Sequence, residues 1–191
     1  MTDPHVSPAA ARLTFDDRLP LAWHGLDAAP DAAELAHVRG ANEDVMRTLA
    51  SLDEHPQEIT DEHPAVTHEL RRLDFKLNLL LDLMGMVLTR HAALPDAVTM
   101  RLGAGGVVWD TPVAPPTGQL LRLEVYLSAR YPRPLTLFGR VRDARPLASG
   151  LARVEVAFEY LSEQETDGLE KIVFVHHRRQ VAQSRRAPRP G

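Results

Sequence analysis

The sequence predicts an α+β fold: an antiparallel β-barrel interrupted after its first strand by two long helices, the second a coiled-coil heptad helix, and closed by a C-terminal helix. Three observations carry that reading. An apolar ladder, Val66, Leu70, Leu73, Leu77, Leu80, Met84, Val87, His91 and Leu94, steps alternately four and three residues along the chain, and all but His91 are large and apolar. Such a stripe holds its facing only when a partner helix covers it. Five β-rich segments follow Pro95, separated by Gly, Pro and Asp, a spacing that suits short strands in a small barrel. One strand-like run, Leu19 to His24, precedes the helices. An isolated strand is unstable, so this run is expected to pair with the later strands, which makes the helices an insertion.

The elements follow in order. The first dozen residues, rich in Pro and Ala, are expected to be loosely ordered. Two short β-like runs come next, Leu13 to Phe15 and Leu19 to His24, split by the turn-prone Asp16-Asp17. Asp31 and Glu34 have capping-box spacing, and Leu35, Val38, Val45, Leu49 and Leu52 then recur at helical steps, with Asn42 completing the seam. Gly40 costs this helix about 1 kcal/mol relative to Ala, and the helix ends by Pro56. An acidic connection, Gln57 to Glu62, leads to the long helix, predicted from His63 to Leu94 with Pro64 in its first turn and Pro95 as its stop. Its length of roughly 48 Å exceeds what a compact domain of this size holds in its own core. The strands are Val98 to Leu102, Gly106 to Asp110, Leu120 to Leu127, Leu135 to Val141 and Ala152 to Tyr160. Ser162 and Glu165 can cap a final helix that runs through Leu169, Ile172, Val173 and His176 into a basic tail. Three units result: 1–27 with the first strand, 28–95 as the helical insertion, and 96–191 as the barrel core with its closing helix.

Composition excludes several classes of function. The 191 residues have a formal charge of −4, which gives no global drive toward nucleic acid or anionic lipid. Cysteine is absent, which removes disulfides, thiolate zinc sites and cysteine nucleophiles together. The start has neither a basic n-region nor an apolar h-region, and no apolar run reaches the roughly 18 residues that span a bilayer. A soluble, cytoplasmic chain without a membrane partner is expected. His55, His63 and His68 lie among carboxylates, but no His-Glu-x-x-His is present and His63 and His68 are five apart, so a solvated acidic turn is the better reading than a metal site. Gly103-Ala104-Gly105-Gly106 lacks the remaining elements of a phosphate loop and reads as a tight turn. No nucleophile elbow or paired histidine and carboxylate points to an enzyme. The tail from His176 to Arg189 could touch nucleic acid, but no aromatics interleave with its basic residues. An oligomeric nucleic-acid-binding protein is therefore the alternative reading.

Written as heptads, Leu70, Leu77, Met84 and His91 take a, and Val66, Leu73, Leu80, Val87 and Leu94 take d. Leu81 and Leu88 at e, Leu83 at g, and Leu79 and Met86 at c widen the apolar surface beyond a two-stranded seam. This breadth favours a homotetramer over a dimer or trimer, and it also allows the first helix to fold back over the long one. Glu69 at g and Asp74 at e oppose each other in a parallel bundle, so strand orientation stays open.

The stretch Arg101-Leu102-Gly103-Ala104-Gly105-Gly106-Val107-Val108-Trp109, followed by Pro116-Thr117-Gly118-Gln119-Leu120-Leu121-Arg122-Leu123-Glu124-Val125, resembles the core of PilZ domains, bacterial receptors for cyclic di-GMP. Phe138-Gly139-Arg140-Val141 and Val154 to Leu161 resemble the next two strands of that domain, and Leu169 to Arg186 its closing helix. The resemblance implies a PilZ-like barrel and a non-enzymatic part in cyclic di-GMP signalling, with roles such as motility, pilus function, biofilm or virulence. Its ligand motif is degenerate here. The family pattern has two arginines separated by three residues before the first strand, whereas this chain has Arg12 and Arg18. In the loop, Arg101 stands at the Asp or Asn position and Gly103 at the serine, while Gly106 keeps the glycine. Arg185 and Arg189 have the arginine spacing at the far end of the chain. Each good bidentate contact is worth about 1 to 3 kcal/mol, so the resemblance implies weak or no cyclic di-GMP binding, no resident cofactor, and action through an unidentified protein partner.

Overall fold

A computed structural model describes residues 13–53, 64–91 and 94–186. The Pro- and Ala-rich start, the acidic connection with His55 and His63, and Arg12 and Arg189 fall outside them. The described residues form β1 (Thr14–Leu26), α1 (Ala32–Asp53), α2 (Pro64–His91), β2 (Ala97–Gly103), β3 (Gly106–Thr111), β4 (Leu120–Val125), β5 (Leu135–Pro146), β6 (Ala152–Glu159) and α3 (Glu163–Arg186). The strands close an antiparallel barrel in the order β1-β2-β3-β6-β5-β4. The strand that precedes the helices is thus paired with those that follow them. Among the described residues, no helix is long and apolar enough to cross a membrane.

β1 closes the barrel by serving two neighbours. Its first half, Thr14 to Pro20, pairs with β2, and its second half, Leu21 to Leu26, pairs with β4. Pro20, which has no N–H to give a ladder, stands where the partner changes, and its carbonyl accepts from the Tyr126 amide at 3.1 Å. The expected turn at Asp16-Asp17 is not formed. Both carboxylates are exposed and satisfied within a continuous strand, Asp16 by Arg101 and Asp17 by the Arg18 amide at 2.7 Å, so sheet pairing overrides the local turn preference.

Alternation sends Phe15, Met100, Leu102, Val107, Trp109, Leu121, Leu123, Val154 and Val156 into the interior, each no more than 2% exposed. Leu169 and Val173 of α3 and Val45 and Leu49 of α1 complete that core. α3 lies across β1 and β2: His176 stacks on Phe15 with ring centroids 4.5 Å apart, and the Gln180 amide bonds the Asp16 backbone. The α3 capping box forms as expected, with the Ser162 amide donating to Glu165 Oε2 at 2.9 Å and the Glu165 amide donating to Ser162 Oγ at 3.2 Å. At α1 only half of the box forms. Asp31 Oδ1 accepts from the Glu34 amide at 2.8 Å, while the Glu34 carboxylate turns instead to Arg122.

Among the described residues α1 packs on β5 and α3 rather than along α2, so the fold-back that the apolar breadth of α2 allows is not formed there. The reason is Asn42. It is 1% exposed, its amide donates to the Thr136 carbonyl at 2.8 Å and to Glu165 Oε1 at 2.9 Å, and its Oδ1 accepts from the Thr136 amide at 2.9 Å. β6 pairs with β5 only from Phe138 onward, so on that side Asn42 stands in for the strand that Thr136 lacks. A polar group so well matched to the barrel draws α1 there.

Candidate functional site

Two surfaces stand out. The first is the outer face of β1, β2, β3, β6 and β5. Alternation that buries Met100, Leu102 and Trp109 points Thr99, Arg101 and Asp110 outward. With Arg145, Arg153, Asp143 and Glu155 these line a concavity of about 250 Å³. Its arginines are already engaged. Arg101 grips Asp16, its direct cross-strand neighbour, through Nε–Oδ1 at 2.8 Å and Nη2–Oδ2 at 3.2 Å. Arg153 grips Asp110, again directly opposite, at 2.8 and 3.0 Å. The hydrogen bond from Arg153 holds the Asp110 carboxyl below its ordinary value, while burial opposes the shift. Arg145 lies 3.8 Å from Asp143, a long contact.

The residues named from the family motif gather at this end of the barrel. Arg101, Gly103 and Gly106 stand on the β2–β3 hairpin, in which Gly103 pairs with Gly106 across the tight turn the sequence predicts. Arg18 lies alongside on β1, but its Nε donates to the Ala97 carbonyl at 3.3 Å and is committed to the backbone. Gly106 is required by packing alone: a Cβ there would stand 2.3 Å from the Val156 carbonyl oxygen. Gly103 is less constrained, since its Cβ would meet the Thr14 methyl tip at 3.0 Å. Asp110, Arg145 and Arg153 were not singled out from sequence. Their signal was the outward phase of strands whose inward phase was plain.

The second surface is α2. Its seam residues Val66, Leu70, Leu73, Leu77, Leu80, Met84 and Val87 are 47–60% exposed, and Phe75, Leu79, Leu81, Leu83 and Met86 are exposed as well. His91 is the last helical residue, with its side chain outside the description. Leu94 does not belong to the helical seam. The helix stops before it because Pro95 disfavours helical geometry in the preceding residue. What α2 turns toward its own barrel is a polar and small stripe, Asn78, Asp82 and Gly85, at heptad positions b and f. Asp82 pairs with Arg130 at 2.6 Å, and a Cβ on Gly85 would stand 2.8 Å from the Ala129 carbonyl. The b and f positions lie nearly opposite a and d around a helix. The seam therefore points away from the barrel. The same 127–130 loop, with Met46 and Leu49 of α1 and Ile172 of α3, borders a groove of about 730 Å³.

Residues 46–186 match the family model of the atypical PilZ domain, cyclic di-GMP receptor. The chain is similar to a pathogenic protein from Xanthomonas campestris, described as a new tetrameric PilZ domain self-assembled via an unusual helical bundle. That likeness has 25% identity, a TM-score of 0.69, and spans 91% of this chain and 92% of the other. It is also similar to the PilZ domain of YcgR from Escherichia coli with cyclic di-GMP, at 14% identity and a TM-score of 0.40 over 48% of this chain and 79% of that one. The inhibitor of motility of Bacillus subtilis matches at 17% identity and a TM-score of 0.38, over 46% of this chain and 43% of that one. A search of curated proteins found no match. A closed barrel, with its first strand separated from the rest by two helices and a family match across most of the chain, places this protein in the atypical PilZ domain family.

Proposed function

We propose that this chain is a non-enzymatic component of cyclic di-GMP signalling. It self-assembles as a homotetramer through the coiled-coil seam of α2, binds cyclic di-GMP weakly or not at all, and acts through protein partners in motility, pilus, biofilm or virulence regulation. The carrying observation is the inverted setting of α2, whose Asn78, Asp82 and Gly85 face the barrel while seven seam side chains remain about half exposed. Burying what remains of each is worth about 1 kcal/mol per side chain, enough in sum to hold a bundle. The likeness to a tetrameric PilZ protein self-assembled via a helical bundle supports the same reading. Weak ligand binding is supported by the engagement of Arg101 and Arg153 with Asp16 and Asp110. The helical insertion 28–95 then divides its labour, with α1 belonging to the barrel and α2 to the assembly. The nucleic-acid alternative is weakened because His176 and Gln180, at the head of the basic tail, pack on β1.

Light scattering after size exclusion tests the assembly. The expected mass is four times the chain mass of 21.2 kDa, and a Leu77→Asp, Leu80→Asp double variant is expected to dissociate. A wild-type monomer at micromolar concentration overturns the proposal. Calorimetry with cyclic di-GMP is expected to show nothing tighter than about 10 µM.

A further inference from the structure

Two like-charged pairs stand side by side on the outer face. Arg145 of β5 lies directly across from Arg153 of β6, and one pleat along Asp143 lies directly across from Glu155. Like charges directly opposite destabilise a sheet. Arg145 is well exposed, with its side chain 66% accessible, so barrel packing does not demand a guanidinium there. Local rules broken at exposed positions are where binding surfaces are found.

We propose that Arg101, Arg145 and Arg153 form a latent phosphate-binding site on this face, held closed by the carboxylates of Asp16 and Asp110. The chemistry is that of internal mimicry. A carboxylate and a phosphate offer a guanidinium fork the same two-oxygen edge. Asp16 takes that edge at Arg101 and Asp110 takes it at Arg153, each with two short contacts. Because the competitor is tethered across a single strand pair, an incoming anion meets it at high effective concentration. The field acts in the same direction. Four carboxylates, Asp16, Asp110, Asp143 and Glu155, line the concavity against three guanidiniums, which leaves it net negative. Neutralising Asp16 and Asp110 turns the balance positive and frees two forks. The volume, about 250 Å³, accepts one phosphate or phosphodiester unit rather than a whole dinucleotide. This inference rests on the reading that the wild-type chain binds cyclic di-GMP weakly. It adds two carboxylates that are present to the missing arginine pair as a cause of that weakness.

The full-length wild type and an Asp16→Asn, Asp110→Asn double variant are titrated by calorimetry at low salt. The probes are pyrophosphate and cyclic di-GMP, and circular dichroism verifies the fold. The double variant is expected to bind pyrophosphate at least tenfold more tightly than wild type, and adding Arg153→Gln is expected to remove most of that gain. The single variants Asp16→Asn and Asp110→Asn are each expected to show part of it, which keeps the test alive if the double variant folds poorly. A parallel gain for cyclic di-GMP supports the site as one that takes a single phosphodiester of the dinucleotide. A gain for pyrophosphate alone supports a phosphate site with other ligands. Affinities within twofold of wild type for both probes overturn the latent site and leave the proposed function standing. Wild-type binding of cyclic di-GMP tighter than 10 µM instead overturns the weak-binding reading, whatever the variants do.

Discussion

Replacing Asn42 by Leu tests how the helical insertion is joined to the barrel. Leu keeps the branched outline of Asn with methyl groups in place of the amide nitrogen and oxygen, so the change removes hydrogen bonds while adding some bulk. Three are lost, at 2.8, 2.9 and 2.9 Å, which strands the Thr136 amide, the Thr136 carbonyl and Glu165 Oε1. Thr136 is 8% exposed and Glu165 3%, so water reaches none of these groups freely. An orphaned buried group costs about 1–3 kcal/mol, and Glu165 keeps both donors from Ser162. The combined loss is therefore about 3–5 kcal/mol. For a chain of this length each kcal/mol moves the melting temperature by about 2–4 °C, so Asn42→Leu is expected to melt about 10 °C below wild type. Thermal unfolding followed by circular dichroism reads the shift. A drop of less than about 2 °C would refute the claim that this amide substitutes for a strand edge.

Two further outcomes follow from the same contacts. Gly106→Ala drives a Cβ to 2.3 Å from the Val156 carbonyl, so it is expected to cost about 2 kcal/mol or more. Gly103→Ser meets the Thr14 methyl tip at 3.0 Å and backbone no nearer than 3.4 Å, so it is expected to cost less than half as much, and equal denaturation midpoints for the two variants would reject the packing explanation of Gly106. The Asp110 carboxyl is held below its unfolded value by its hydrogen bond from Arg153. Its stabilising contribution is thus present above about pH 4 and lost as pH falls through the lower folded value. Denaturant midpoints at pH 6 and pH 3 should fall further in wild type than in Asp110→Asn, and an equal fall rejects the coupling.

Much of the architecture was legible because it rests on periodicity. The step of two in Val107 and Trp109, and the three-four step from Val66 to Val87, each mark the side of an element that must leave water. Asp16-Asp17 misled because turn chemistry is local, whereas the partners that hold those carboxylates, Arg101 above all, are distant in sequence. Periodicity puts Asn42 on the packing face of α1 but not against Thr136, since the edge it completes exists only where β6 ends. The outer face was the least legible part. Asp110, Arg145 and Arg153 are ordinary outward residues of their strands, and only the register shows Arg153 with a carboxylate on one side and a guanidinium on the other. Gly106 fits the family motif, yet its reason for being glycine is the closeness of β6, so a surviving motif residue does not by itself mark a surviving ligand site.

The two faces of α2 fix its rotation twice. In the proposed assembly the apolar seam sets which side meets other helices, while the stripe of Asn78, Asp82 and Gly85 sets which side meets the 127–130 loop. Both repeat with the heptad, so the angle that the proposed bundle would make with the barrel is written into one helix. A helix with the seam alone would assemble equally well at any rotation of its barrel, because apolar packing between helices is indifferent to what hangs behind them. Gly85 removes that freedom: only a residue without a Cβ allows the helix to lie against the Ala129 carbonyl. Asp82 and Arg130 then supply a directional contact that a rotated helix could not make. One residue inserted between Leu73 and Leu77 would leave Leu80, Met84 and Val87 in step with the stripe but turn Val66, Leu70 and Leu73 about 100° away from both. The spacing between them is therefore as much a part of the sequence's information as either set of residues.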